Sequence, residues 1–130
     1  MTREEKIVAC AELMGWEGWR SKHGYWNVTS PDGNESVCCD GWQSFDPHSG
    51  EKLREPTFSD ALSECDYNPY SDDAQAMALV KKLYLQCTSA DWRTEKWQVM
   101  YGQSNIYSVS ADLNTAIVDC AAQIAERGKG

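Results

Sequence analysis

Lys96-Trp97-Gln98-Val99-Met100-Tyr101-Gly102-Gln103-Ser104-Asn105-Ile106-Tyr107-Ser108-Val109-Ser110 is the stretch on which the fold turns. Trp97, Val99 and Tyr101 alternate with Lys96, Gln98 and Met100, the period-2 pattern of a strand with one covered face. Gly102 to Asn105 supplies a turn, and Ile106 to Val109 returns as a second strand, so the pair is an antiparallel hairpin. The chain then runs into a helix opened by Ser110 or Ser108, in which Leu113, Ala116, Ile117, Cys120, Ala121 and Ile124 keep a 3.6-residue period until Gly128. Hairpins covered by helices are the signature of an α+β fold.

Upstream, Ser71 is placed to cap a helix whose first turn holds Asp72 and Asp73, where the dipole favours carboxylates. Ala76, Met77, Val80, Leu83 and Tyr84 make its apolar stripe. At the other end of the chain Thr2 and Glu5 form a capping-box pattern. Ile7, Val8, Ala11 and Met14 then recur at helical spacing, and Gly15 offers the stop, giving a helix over residues 3–14. Trp16 and Trp19 follow. Tyr25 to Thr29, the turn Ser30-Pro31-Asp32-Gly33, and Val37-Cys38-Cys39 read as another hairpin.

Residues 40–70 change character, with Pro47, Pro56 and Pro69 among them and no sustained period, although a short helix fits over Ser59 to Cys65. The expected architecture is therefore one domain spanning residues 1–130 with a loop-rich insertion at about 40–70. It is an α+β fold in which an antiparallel sheet of about four strands packs with three helices. Irregular stretches this long inside a compact domain are uncommon unless they bind something or move.

At 130 residues the chain is large enough to bury roughly two thirds of its unfolded surface without staples. Twenty acidic residues against twelve basic ones give a formal charge of −8, which repels a phosphate backbone and argues against direct nucleic-acid binding. No apolar run reaches the length of a signal-peptide core or a membrane span, so a cytoplasmic location is expected. Asn27-Val28-Thr29 and Asn34-Glu35-Ser36 match the glycosylation sequon, which has no meaning for such a chain. Of the six cysteines, Cys10 and Cys120 fall in helical apolar stripes, where a thiol behaves as a small hydrophobe.

Three segments carry a resemblance. They are Ile7-Val8-Ala9-Cys10-Ala11-Glu12-Leu13-Met14-Gly15-Trp16, Tyr70-Ser71-Asp72-Asp73-Ala74-Gln75-Ala76-Met77-Ala78-Leu79-Val80-Lys81-Lys82-Leu83, and Ser110 to Ala125. In order and spacing the chain resembles the phage ABA sandwich domain family, small proteins of bacteriophages and prophages. That family has a helix ending in a Met-Gly-Trp-like motif, a Tyr-Ser-capped Ala-rich helix and an Ala-rich C-terminal helix after a tryptophan-containing hairpin. Cys10 stands where an acidic residue is usual, and the long stretch between the first two helices has no counterpart in the pattern. The resemblance implies an ABA-sandwich-like fold and a phage origin, and no catalytic or binding residue.

No residue constellation asks for a reaction. Cys38 or Cys39 with His23 or His48 has the residue types for a thiol nucleophile or a zinc site. There is no C-x-x-C knuckle, however, and neighbouring strand cysteines point to opposite faces. Asp60, Glu64, Asp66, Asp72 and Asp73 form an acidic cluster that reads as helix-end charges and a solvated face. No P-loop, EF-hand, dinucleotide-binding or nucleophile-elbow pattern is present. No catalytic residue, metal ligand or cofactor is assigned.

Six tryptophans and six tyrosines remain; most should pack in the core. Those in the irregular segment, Trp42, Phe45, Phe58, Tyr67 and Tyr70, are the expected binding surface, because loop aromatics dominate interface hot spots. The expected function is that of a non-enzymatic bacteriophage accessory protein that binds a host or phage protein, in host takeover or anti-defence. The alternative is a small-molecule or nucleotide-sequestering protein, with Arg20, Lys22, Lys52, Arg54 or Arg93 available to an anion.

Overall fold

The computed structural model describes residues 1–20, 26–38, 57–91, 93 and 95–129. In chain order these form α1 (Arg3–Met14), β1 (Glu17–Arg20), β2 (Trp26–Thr29), β3 (Glu35–Cys38), α2 (Phe58–Glu64), α3 (Asp73–Leu83), β4 (Leu85–Asp91), β5 (Lys96–Tyr101), β6 (Tyr107–Ser110) and α4 (Leu113–Lys129). The fold is α+β and antiparallel. Its described strands make two sheets, ordered β1-β2-β3 and β4-β5-β6, rather than one sheet of about four. Four helices are described instead of three. The chain divides into two compact units, Met1–Met14 with Asn68–Gly130, and Gly15–Tyr67.

In the first unit α1 begins as expected, with Thr2 Oγ1 accepting from the Glu5 amide at 3.1 Å. Gly15 ends it with φ at +98°, a conformation that disfavours any residue with a Cβ. The later caps sit one or two residues beyond the serines expected to make them. Asp72, not Ser71, caps α3 by accepting from the Gln75 amide at 3.0 Å. Asp112, not Ser110, receives the Thr115 amide at 3.0 Å at the start of α4, while Ser110 Oγ accepts from the Asp112 amide. A carboxylate outcompetes a hydroxyl at a helix N-terminus because it also answers the dipole.

Helix α4 is the centre of this unit. Ala116, Ile117 and Val118 are buried in succession, as are Cys120, Ala121 and Ala122, so the helix is covered on more than one face. The β4-β5-β6 sheet packs against it, as do α1 and α3. Small residues at 116, 121, 122 and 125 let these neighbours approach closely. On α3 the buried residues are Ala76 and Leu79. The expected stripe is displaced: Met77 is 43% exposed and Tyr84 is 85% exposed.

β4 is absent from the sequence reading. Gln86, Thr88 and Ser89 disguise it as a loop, and Leu83-Tyr84-Leu85 reads as a continuation of α3. Tyr84 takes a left-handed cap, φ 55° and ψ 47°, and turns the chain into β4, whose Cys87 lies opposite Val99 of β5.

The second unit contains the expected hairpin. Gly33 donates to the Ser30 carbonyl at 2.9 Å with φ at +88°, and β2 pairs with β3. β1, around Trp19, adds a third strand that the sequence reading leaves unassigned. The short helix within 57–70 is α2, with a reciprocal capping box between Thr57 and Asp60. It covers one face of the sheet, where Val28 and Ala61 are surrounded by Trp16, Trp26, Phe58 and Cys65.

Candidate functional site

Of the five aromatics expected to form a binding surface, Trp42 and Phe45 lie outside the described residues, as do His23, Cys39 and His48. Of the other three, Phe58 and Tyr67 lie in the second unit and Tyr70 in the first. Phe58 stacks on Trp26 with ring centroids 5.6 Å apart and fills the space left by Gly18. Tyr67 is 4% exposed and tilts against Trp16 at 5.4 Å. Tyr70 belongs to the other unit. It is half-buried, carries the Arg3 guanidinium 4.0 Å above its ring, and accepts with its carbonyl from Asn114 Nδ2 at 3.3 Å. Such contacts use the rings for packing.

The acidic cluster is likewise occupied with helix ends. Asp60 serves the capping box of α2, Asp72 caps α3, and Asp73 accepts from Asn114 Nδ2 at 2.8 Å. Among the described residues no three His, Cys, Asp or Glu side chains converge to hold a metal ion.

An open cleft of about 220 Å³ lies in the first unit, lined by Lys6, Ser108, Asp119, Gln123 and Glu126 among others. Lys6 Nζ and Asp119 Oδ1 form an ion pair within it at 2.8 Å. Gln123 Nε2 donates to the Tyr107 carbonyl at 2.9 Å. The cleft falls short of the roughly 300–1,000 Å³ typical of small-molecule sites. Lys6 and Asp119 of its lining are engaged with each other.

The buried thiols behave as core groups. Burial, reinforced by the negative charge of Asp119, pushes the Cys10 thiol up to about 12, and burial pushes Cys120 up to about 11. Burial and Asp119 also raise the Tyr70 phenol to about 12. Each group holds its proton more tightly when folded than when unfolded. Their contribution to stability is therefore complete below about pH 9 and is lost as pH rises toward 11–12. Urea unfolding should show a midpoint that falls steadily over this range, and Cys10→Ala should flatten the fall. A midpoint independent of pH above 9 would contradict these placements.

What the structure does expose is one face of the β4-β5-β6 sheet. Val99 is fully buried, so alternation puts Trp97, Val99 and Tyr101 on the face toward α4. The register places Gln86 opposite Met100 and Thr88 opposite Gln98. It also pairs Met100 with Tyr107 and Gln98 with Val109. These six uncharged residues share the face turned away from α4. Tyr107 is 53% exposed and Val109 45% exposed, while Gln98 and Met100 on the central strand are half-buried. The sequence holds a signal for this: β5 carries Met100 in the phase opposite to Trp97, Val99 and Tyr101, whereas a strand with one solvated face normally shows apolar residues in one phase.

In the second unit, Trp19 is 58% exposed on the sheet face opposite Val28. Of the four described tryptophans, Trp16 and Trp26 pack against the core of the second unit, Trp19 is exposed, and Trp97, on the face toward α4, is 38% exposed.

No protein-family model matches the chain, and neither a curated protein nor a solved structure matches it. No helix among the described residues is long and apolar enough to cross a membrane.

Proposed function

We propose that this is a non-enzymatic bacteriophage accessory protein of the ABA sandwich type, acting in the bacterial cytoplasm by binding a host or phage protein. We assign the contact to the outer face of the β4-β5-β6 sheet. The observation that carries this is the exposure of Tyr107 and Val109 beside Met100 on a sheet face where none of the six central residues is charged, although the chain carries −8. Depletion of charge around Tyr and Met is the composition of an interface centre rather than of ordinary surface. Leaving these residues to water forgoes the burial that the opposite face enjoys.

The earlier candidates in the 57–70 segment support this surface less well, because Phe58 and Tyr67 are used inside their own unit. The cleft around Lys6 and Asp119, at about 220 Å³, does not favour the sequestering alternative.

Tyr107→Asp with Val109→Asp is the test. Both positions are exposed, so the double variant should fold with a thermal midpoint close to that of the parent. It should also lose the protein captured by the parent from bacterial lysate. Unchanged capture by the double variant would refute the surface, and an empty capture by the parent would refute protein binding.

A further inference from the structure

Among the described residues Tyr84 is the most exposed large hydrophobic one, at 85%, and it occupies the left-handed cap of α3 with φ 55°. That conformation is unfavourable for a side chain with a Cβ and free of such cost for glycine, the usual residue at this position. An aromatic ring that packs on so little, at a position glycine fills better, is not explained by folding. Met77 and Lys81 are spaced i and i+4, so they lie along one ridge of the helix, and Tyr84 caps its end. Met77 is 43% exposed and Lys81 and Lys82 are exposed.

Neither lysine has a carboxylate three or four residues before it, since those positions hold Met77, Ala78 and Leu79. Among the described residues neither forms an ion pair. The helix dipole explains cations in the last turn, but it does not explain the tyrosine and methionine beside them. On a chain of net charge −8 this is a local reversal of sign joined to exposed apolar groups.

We propose that the C-terminal end of α3, formed by Met77, Lys81, Lys82 and Tyr84, docks an acidic segment of a partner protein that also carries an apolar side chain. The carboxylates of that segment meet the two lysines, and its apolar side chain covers Tyr84 and Met77. A ring in this role pays for the backbone conformation through binding, which is how strained positions are retained in proteins. This site is separate from the outer sheet face: the Tyr107→Asp, Val109→Asp variant should retain it.

The probe is a synthetic helical peptide with glutamates three and four residues from a central leucine, titrated into the isotope-labelled full chain and followed by amide chemical shifts. A lysine-for-glutamate version and a single-stranded oligonucleotide are titrated in parallel. Saturable shifts confined to residues 77–86 are expected with the glutamate peptide. Binding should be about tenfold weaker or worse for Tyr84→Gly and for Lys81→Glu. Tyr84→Gly should at the same time raise the thermal midpoint by a few degrees. The proposal is overturned by an absence of saturable shifts, by equal binding of the lysine peptide, or by tighter binding of the oligonucleotide. It is also overturned if Tyr84→Gly lowers the midpoint, because the ring would then be held by packing.

Discussion

Ile117→Ala is expected to destabilise the protein by about 2–5 kcal/mol, the range for truncating a fully buried aliphatic side chain that leaves a cavity. Ile117 is 0% exposed on α4, and both Ala116 and Val118 beside it are also fully buried. A helix that meets neighbours on several sides cannot shift toward one of them to close a gap without leaving another, so relaxation should be limited and the cost should fall in the upper part of the range. Urea unfolding checks this: the midpoint should drop while the dependence on denaturant stays the same. A loss below about 1 kcal/mol would mean that α4 is not the centre of its unit.

Gly18→Ala is expected to cost about 1–3 kcal/mol in the other unit through overpacking rather than cavity formation. A Cβ at residue 18 would stand 2.5 Å from Cε2 and 2.6 Å from Cδ2 of Phe58. These are atoms of a rigid ring already stacked on Trp26 with planes 18° apart, so it has no easy retreat. The double variant gives the sharper test. Phe58→Ala should cost less in the Gly18→Ala background than in the parent, since it removes the clash along with the ring. Strict additivity of the two changes would show that residues 18 and 58 do not meet.

Both substitutions probe features that differ in how far the sequence announces them. The central role of α4 is legible from the run Ala116-Ile117-Val118 with Cys120-Ala121-Ala122, because apolar residues on consecutive positions mark a helix buried on more than one face. The close approach at Gly18 is not legible, since a glycine between Glu17 and Trp19 looks like a loop until β2 and α2 are brought around it.

The two missed strands fail for related reasons. β1 is four residues with a burial pattern dominated by exposure, and β4 is largely polar because one of its faces is solvated. Period-2 reasoning needs an apolar phase, and neither supplies enough of one. Exposure is likewise not legible from local regularity. Tyr67 sits in an irregular stretch yet is packed on Trp16, while Tyr107 sits in a regular strand yet faces outward. Irregularity is a property of the local chain, whereas exposure is decided by what the rest of the fold covers.

Placement of a photo-crosslinking amino acid at residue 107 tests the central claim most directly, with the same group at Glu12, an exposed position on α1 of the same unit, as the control. Irradiation in bacterial extract should yield one discrete protein adduct from position 107 and none from position 12. Absence of an adduct at 107, or the same adducts from both positions, would contradict the assignment of the outer β4-β5-β6 face as the surface through which this protein acts.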